Sequence, residues 1–487
     1  MRKKSITADE LAHIPAGCTY VQFRDYHLNP EHPPFVKLLS GLALDPKHPR
    51  LETYNWRNAN QWRYGDIFFD DNDADTMLFR GRLPVVLLSL LLAFAVYCCA
   101  WEFYGWKAGC LALLLYVINP DMLAHGQLVT TDLGVTCFMF ISIYTFWRAL
   151  QRLTILRGLV TCIAVGLTLS TKFSGILVIP MLMMIGLVHA LSKNPLKIEL
   201  PKAGALLTQP VKKGLAAAGL LVAAGAVSLA IIWANYGFRY AISPNPEISS
   251  DLKWSTFWTI PGATIEAARF AKDIHLVPEA YIYGLVYVLK YSVRRMGFLL
   301  GATSMTGWWY YFPITFLVKT PLGLLLLILL GALFIRRYGA GWPVELTLLL
   351  PVAFYFAVAM ATNMNIGHRH LLPIYPFLIV FASKMARALD PPRHRILGYV
   401  VAALVAWNVG ATAYIYPHFL ADRRRAESRM DVAGGFQPRL GAGPESAGGI
   451  LQTAPREKFL PLVFRKRRPE ILRSAECQAA AELSAEE

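Results

Sequence analysis

Apolar residues are gathered into long runs that begin near Leu83, Ala108, Leu133, Gly158, Gly175, Gly214, Pro313, Val344, Leu371 and Ile396. These predict about ten membrane-spanning helices, several near the ~20 residues a bilayer crossing needs and a few short enough to be tilted, merged or re-entrant. No secretory signal peptide precedes them, so the first span has to direct insertion. The pattern divides the chain into a polar stretch 1–82, a first apolar half 83–234, an aromatic-rich polar segment 235–312, a second apolar half 313–421 and a polar tail 422–487. The expected fold class is an all-α polytopic membrane protein.

Composition supports that reading, with 55% hydrophobic and 16% charged residues among 487 and a mean hydropathy of +0.40. A formal charge of +16 invites a nucleic-acid partner, but most of the basic residues lie in connections between spans or in the tail. Arg148, Arg152 and Arg157 share one connection, Lys193, Lys197, Lys202, Lys212 and Lys213 a second, Arg336 and Arg337 a third, and Lys384, Arg387, Arg393 and Arg395 a fourth. The positive-inside rule makes all four cytoplasmic. Alternation then puts 1–82, 119–132, 235–312 and 363–370 on the opposite, extracytoplasmic face. Membrane lipids, not nucleic acid, are the expected surroundings. The seven cysteines show no metal-type spacing, and a disulfide framework is not expected.

Three polar clusters fall on the outer face. In the first, "TADELAHIPAG" and "RDYHLNPEHPPFVKLL" bring the carboxylates Asp9 and Glu10, the histidine His32 and the cation Lys37 together ahead of the first span. A carboxylate there can take a proton and a lysine can hold a phosphate; an acidic helix start followed by an interfacial helix is the plainer account of the same residues. In the second, "NPDMLAHGQLVTTDLG" offers Asp121, His125 and Asp132. Asp121 and His125 read as solvated loop residues, while Asp132 is as suited to capping the next helix as to facing a site. In the third, "NMNIGHRHLLPIYPFL" sets Arg369, whose fork suits phosphate oxygens, between His368 and His370. Two histidines at i, i+2 on a helix point apart, so no metal site is expected. Arg294, Arg295 and Lys319 are less specific candidates for phosphate, and Trp308–Tyr311 read mainly as an interfacial aromatic belt.

"DELAHIPAG", "RDYHLNPEHPPFVKLL", "LVTTDLG", "STKFSGILVIP", "GWWYYFPITFLVKTP", "GHRHLLPIYPF" and "YPHFLA" occur in family order and resemble the bacterial phospholipid-carrier-dependent glycosyltransferases related to protein O-mannosyltransferases. The resemblance runs from Thr7 to about Ala421. It implies a GT-C transmembrane bundle with an extracytoplasmic catalytic loop in the bacterial inner membrane, and an inverting transfer of sugar from a polyprenyl phosphate to an acceptor hydroxyl. It maps the family's catalytic aspartate onto Asp9, with Glu10 beside it, and its carrier-phosphate cations onto Lys37 and Arg369. His32 and Asp132 are then expected to position substrate. It names no certain cofactor beyond the lipid-linked donor and leaves divalent-metal dependence open. A transporter or flippase is the competing class, but the ionisable groups gather at one mouth instead of along the spans.

Two departures from the family pattern bear on activity. Relatives carry a transmembrane helix before the Asp-Glu loop, where this chain has Met1–Ile6. After Ala421 the family text gives way to an Arg-, Gly- and Ala-rich tail, and codons permitted for Asp422–Pro444, read one nucleotide later, can spell family-like sequence. The expectation is a frame-shifted, disordered tail and a chain of low activity, an inactive remnant at the extreme.

Overall fold

In the computed structural model, described for residues 5–419 except 202, 251, 253, 259–261, 293–294, 390–394 and 417–418, the chain is mostly helical. The expected change of reading frame after Ala421 lies outside the described residues, as does Arg294. All described residues belong to one unit, Met1–Phe436.

Helices α1 (Ala8–Gln22), α2 (Phe35–Leu44) and α3 (Gln61–Asp71) precede the first span. They pack through glycine. A Cβ on Gly17 would lie 2.1 Å from the Lys37 carbonyl oxygen, and one on Gly41 equally close to that of Gly17, so the α1 and α2 backbones are in direct contact. Gly65 of α3 sits as tightly against the Leu11 carbonyl. Pro15, inside α1, has no N–H to give that carbonyl. The stretch 1–82, expected as a loop with interfacial helices, carries these three helices packed on one another.

The first span, α4 (Ala74–Tyr104), is 31 residues long and at 1.5 Å per residue reaches roughly 46 Å, well beyond the hydrocarbon core. The division expected at 82/83 thus falls inside a helix, because the turn carrying Arg80 and Arg82 belongs to the same rod. Then come α5 (Trp106–Val117), the short α6 (Pro120–His125), α7 (Thr131–Gln151), α8 (Ile155–Thr171), α9 (Val178–Leu191) and α10 (Pro210–Asn235). The segment between the two apolar halves contributes α11 (Ala263–Asp273), α12 (Glu279–Ser292) and a small β-hairpin. The second half holds α13 (Tyr311–Lys319) and α14 (Leu322–Leu333), bent by 108° at Thr320-Pro321, then α15 (Trp342–Ala361), α16 (Tyr375–Ser383) and α17 (Arg395–Ile415). Among the described residues seven helical segments are long and apolar enough to cross a membrane, or eight with the bent pair; α5 and α8 are shorter apolar helices. The protein is a multi-pass membrane protein. Its axis is the segment His368–Leu389, 94% of whose most apolar stretch is buried, whereas the corresponding share for Arg395–Ile415 is 17%.

The strands lie in connections. β1 (Arg152–Thr154) pairs in parallel with β2 (Leu196–Leu200), which pairs antiparallel with β3 (Ala203–Leu207), with Leu196 opposite Leu207. This sheet ties two of the basic connections together at one end of the bundle. β4 (Gly297–Leu299) and β5 (Ala302–Ser304) form the antiparallel hairpin between the two apolar halves. At the basic end some cations are interior: Lys384 is fully buried, 2.8 Å from Glu345, and Lys213 gives its ammonium protons to the carbonyls of His189, Ser192 and Asn194.

Candidate active site

Four distant pieces of chain meet at the other end of the bundle. α1 opens at Thr7, whose backbone N–H and hydroxyl donate to Glu10 Oε2 at 3.1 and 3.0 Å. Successive residues of a helix point in different directions, and Glu10 turns toward α4. Its carboxylate takes two bonds from Arg82, Nε to Oε1 at 2.6 Å and Nη2 to Oε2 at 2.7 Å, and a third from the Val129 N–H at 3.2 Å. Both side chains are buried. Asp9 turns the other way and forms an ion pair with Arg369 Nη1.

Arg369 stands in a 3-10 turn, His368–Ile374, that leads into α16. Its Nε lies 3.8 Å from Asp132 Oδ2, so one guanidinium faces both Asp9 and Asp132. Asp132 is in the first turn of α7, where the helix dipole favours a carboxylate. Its other oxygen accepts from Lys172 Nζ at 2.5 Å. Lys172 follows α8 directly, where the chain leaves its apolar run in an extended conformation. The result is an alternating row, Asp9, Arg369, Asp132, Lys172, with His370 among the same charges.

Around the row are histidines from several elements. His13 donates from Nδ1 to the Val129 carbonyl at 2.9 Å, and its ring meets that of His32 edge to face at 5.9 Å. His32 Nδ1, His125 Nδ1 and His370 Nε2 are buried without a hydrogen-bond partner among the described residues. Burial pushes the His13 and His125 imidazoles down, and His32 well down, favouring neutral rings. Burial alone would raise the Asp9 carboxyl, but Arg369 and His13 together hold it below the ordinary carboxylate value. Among the described residues no three His, Cys, Asp or Glu side chains converge as metal ligands.

Several expectations need correction. Lys37 does not present its ammonium to this row. It is fully buried and donates to the Asn29 carbonyl at 2.7 Å, Asn29 Oδ1 at 3.0 Å and the His32 carbonyl at 2.9 Å, which uses all three protons. It pins a turn in which Asn29 has a positive φ of 56°, and burial brings its pKa down to about 7. Glu10, expected beside Asp9 as a catalytic carboxylate, is committed to Arg82 and Val129. Asp121 and His125 are not freely solvated loop residues: Asp121 is partly buried, 3.6 Å from His368 Nε2, and His125 is buried. His368 continues to the Tyr375 hydroxyl at 2.6 Å, which pairs with Thr320 Oγ1 at 2.6 Å. Arg295 is bonded to the Tyr291 carbonyl, and Lys319 lies close enough to Asp121 to act on its charge. Tyr311 is buried instead of interfacial.

Lys172, His13 and Arg82 were not singled out from sequence. Lys172 had a signal, as a lone cation between the apolar runs "LVTCIAVGLTLST" and "FSGILVIP". Arg82 had none, because its buried partner lies more than seventy residues away, and His13 had only its four-residue spacing from Asp9.

Residues 74–211 match the model of the dolichyl-phosphate-mannose-protein mannosyltransferase family. That span includes Asp132 and Lys172 but neither Asp9 nor Arg369. The fold is similar to the crystal structure of ArnT from Cupriavidus metallidurans bound to undecaprenyl phosphate, with 12% identity and a TM-score of 0.51 over 89% of this chain and 71% of that one. A further similarity is to the oligosaccharyltransferase AglB from Archaeoglobus fulgidus in complex with an inhibitory peptide and a dolichol-phosphate, at 14% identity and TM-score 0.48, covering 88% of this chain and 52% of that one. The chain thus spans about half the length of the archaeal protein. No curated protein sequence matches the chain. The protein has the helical fold of the GT-C glycosyltransferases and, across residues 74–211, resembles the dolichyl-phosphate-mannose-protein mannosyltransferase family.

Proposed function

We propose that the chain is an inverting glycosyltransferase that moves a sugar from a polyprenyl-phosphate donor to an acceptor hydroxyl on the extracytoplasmic side of a bacterial inner membrane. The observation that carries this reading is the row Asp9, Arg369, Asp132 and Lys172, two carboxylates and two cations at the end of the bundle opposite the basic connections. A sugar on a polyprenyl phosphate is already activated. The enzyme needs a base for the acceptor proton and positive charge for the departing phosphate.

In this mechanism Asp9 is the general base. The acceptor oxygen attacks the anomeric carbon, its proton passes to Asp9, and the bond from that carbon to the phosphate oxygen breaks, leaving its electron pair on the phosphate. A single displacement from the face opposite the phosphate inverts the configuration. Arg369 and Lys172 receive the phosphate, and Asp132 holds both cations ready before it arrives. Once Arg369 turns to the phosphate, Asp9 loses its ion pair and becomes a better base, so donor binding and activation are linked. His32 contacts substrate, Glu10 fixes the start of α1 through Arg82, and Lys37 fixes the turn that carries His32.

Variants separate these roles. Asp9→Asn should lower transfer by roughly 10²- to 10⁴-fold while undecaprenyl phosphate still binds. Arg369→Gln and Lys172→Met should weaken both carrier binding and turnover, because a cation on phosphate acts in the ground state and the transition state alike. Normal transfer by Asp9→Asn would remove the reading.

A further inference from the structure

The geometry points to His13 as a positioning residue that relays the acceptor proton away from Asp9. This rests on the transferase reading above. Asp9 and His13 are four residues apart on α1, a spacing that stacks two side chains on one helix face, and the Asp9 charge acts directly on the imidazole. The Val129 carbonyl can only accept, so the His13 Nδ1 contact at 2.9 Å fixes the proton on Nδ1. In the neutral ring the lone pair is then on Nε2. Burial favours the neutral ring, and it is the neighbouring Asp9 charge that draws a proton onto it.

A relay of this kind answers a difficulty in the site. Asp9 has to take a proton while Arg369 is on the phosphate, and a second turnover, with Arg369 returned to Asp9, needs the carboxylate back. Transfer onto His13 Nε2 restores that carboxylate and creates an imidazolium next to it, with Nδ1–H still held by Val129. The balance is one proton, from acceptor oxygen to Asp9 Oδ to His13 Nε2, and from there to solvent after the products leave. The surrounding charges set the strength of this acceptor. Asp9 on α1 and Glu31 before α2 favour the imidazolium; Lys37 on α2 opposes it. His32 meets the ring from the segment before α2, α4 presents Arg82 to Glu10, and the connection before α7 presents the Val129 carbonyl.

His13 also has a plain structural use, since the Val129 peptide is held by Glu10 at its N–H and by His13 at its carbonyl. His13→Asn separates the two, because its amide can donate to Val129 but has no basic nitrogen. The experiment is the pH dependence of kcat for polyprenyl-phosphate-sugar transfer by the full chain in proteoliposomes, for wild type, His13→Asn, His13→Ala and Asp9→Asn, with the melting midpoint of each. A proton acceptor is active above its pKa, so wild-type kcat should fall as pH drops below the usual histidine range. His13→Asn should lose that acid limb and about tenfold or more of kcat on the plateau, with donor KM and melting midpoint unchanged. An acid limb and plateau kcat kept in His13→Asn would overturn the relay, as would a loss in His13→Ala that His13→Asn fully restores. Wild-type activity in Asp9→Asn would instead sink the transferase reading itself.

Discussion

Glu10 and Asp9 show how far adjacent carboxylates can part in role. Glu10 is sealed against Arg82 with both side chains almost inaccessible, and removing one partner of such a pair leaves a buried charge alone, at a cost of about 3–5 kcal/mol. Arg82→Met should therefore lower the melting midpoint sharply and reduce the yield of folded protein, while the fraction that folds retains donor binding; an unchanged midpoint would contradict the structural role. Asp9 pairs with a cation that the mechanism needs to move. Its contribution should appear in turnover, with a melting midpoint near wild type for Asp9→Asn. Of the site residues, Asp132 and Arg369 stood out in sequence because each is ionic at the border of an apolar run, and Asp9 because it lies in a polar cluster ahead of the first span. Lys37 stood out in that same cluster and is differently used, since sequence does not show that the Asn29 and His32 carbonyls fold back onto its ammonium.

The elements expected from apolar runs correspond to the observed helices because lipid leaves a backbone little alternative to helix. The three-helix layer ahead of the first span was less legible. It depends on backbone contact between α1 and α2 at Gly17 and Gly41, and glycines in a polar stretch read equally well as turns. The short sheet of β1, β2 and β3 was also missed, because three- and five-residue strands in basic connections carry little alternation to detect. The glycine contacts give a direct prediction. In Gly17→Ala the new methyl would meet the Lys37 carbonyl at 2.1 Å, so α1 and α2 have to separate. Loss of stability should be accompanied by loss of transfer, since α1 carries Asp9. Wild-type melting and activity in Gly17→Ala would show that the two helices are not in contact.

At the scale of the molecule, the basic connections and the charged row lie at opposite ends of the bundle, and the proposed function takes the row to face outward by the positive-inside rule. Cysteines placed at the exposed positions Asn58 and Asn363 should react with a membrane-impermeant maleimide from outside intact cells, and one at Lys193 should react only after the cells are opened. Labelling at Lys193 from outside would invert the topology. The bundle brings residues 9, 132, 172 and 369 together across more than 350 positions of sequence, which is why the row could be anticipated only in pieces. The central claim is that this row releases sugar from a lipid phosphate on the outer face. It is tested most directly by the rate at which right-side-out vesicles, supplied with polyprenyl-phosphate sugar in the outer leaflet, form free polyprenyl phosphate and glycosylated acceptor. Wild-type vesicles should do so and Asp9→Asn vesicles should be slower by roughly 10²- to 10⁴-fold; equal rates from the two, or release confined to inside-out vesicles, would contradict the account.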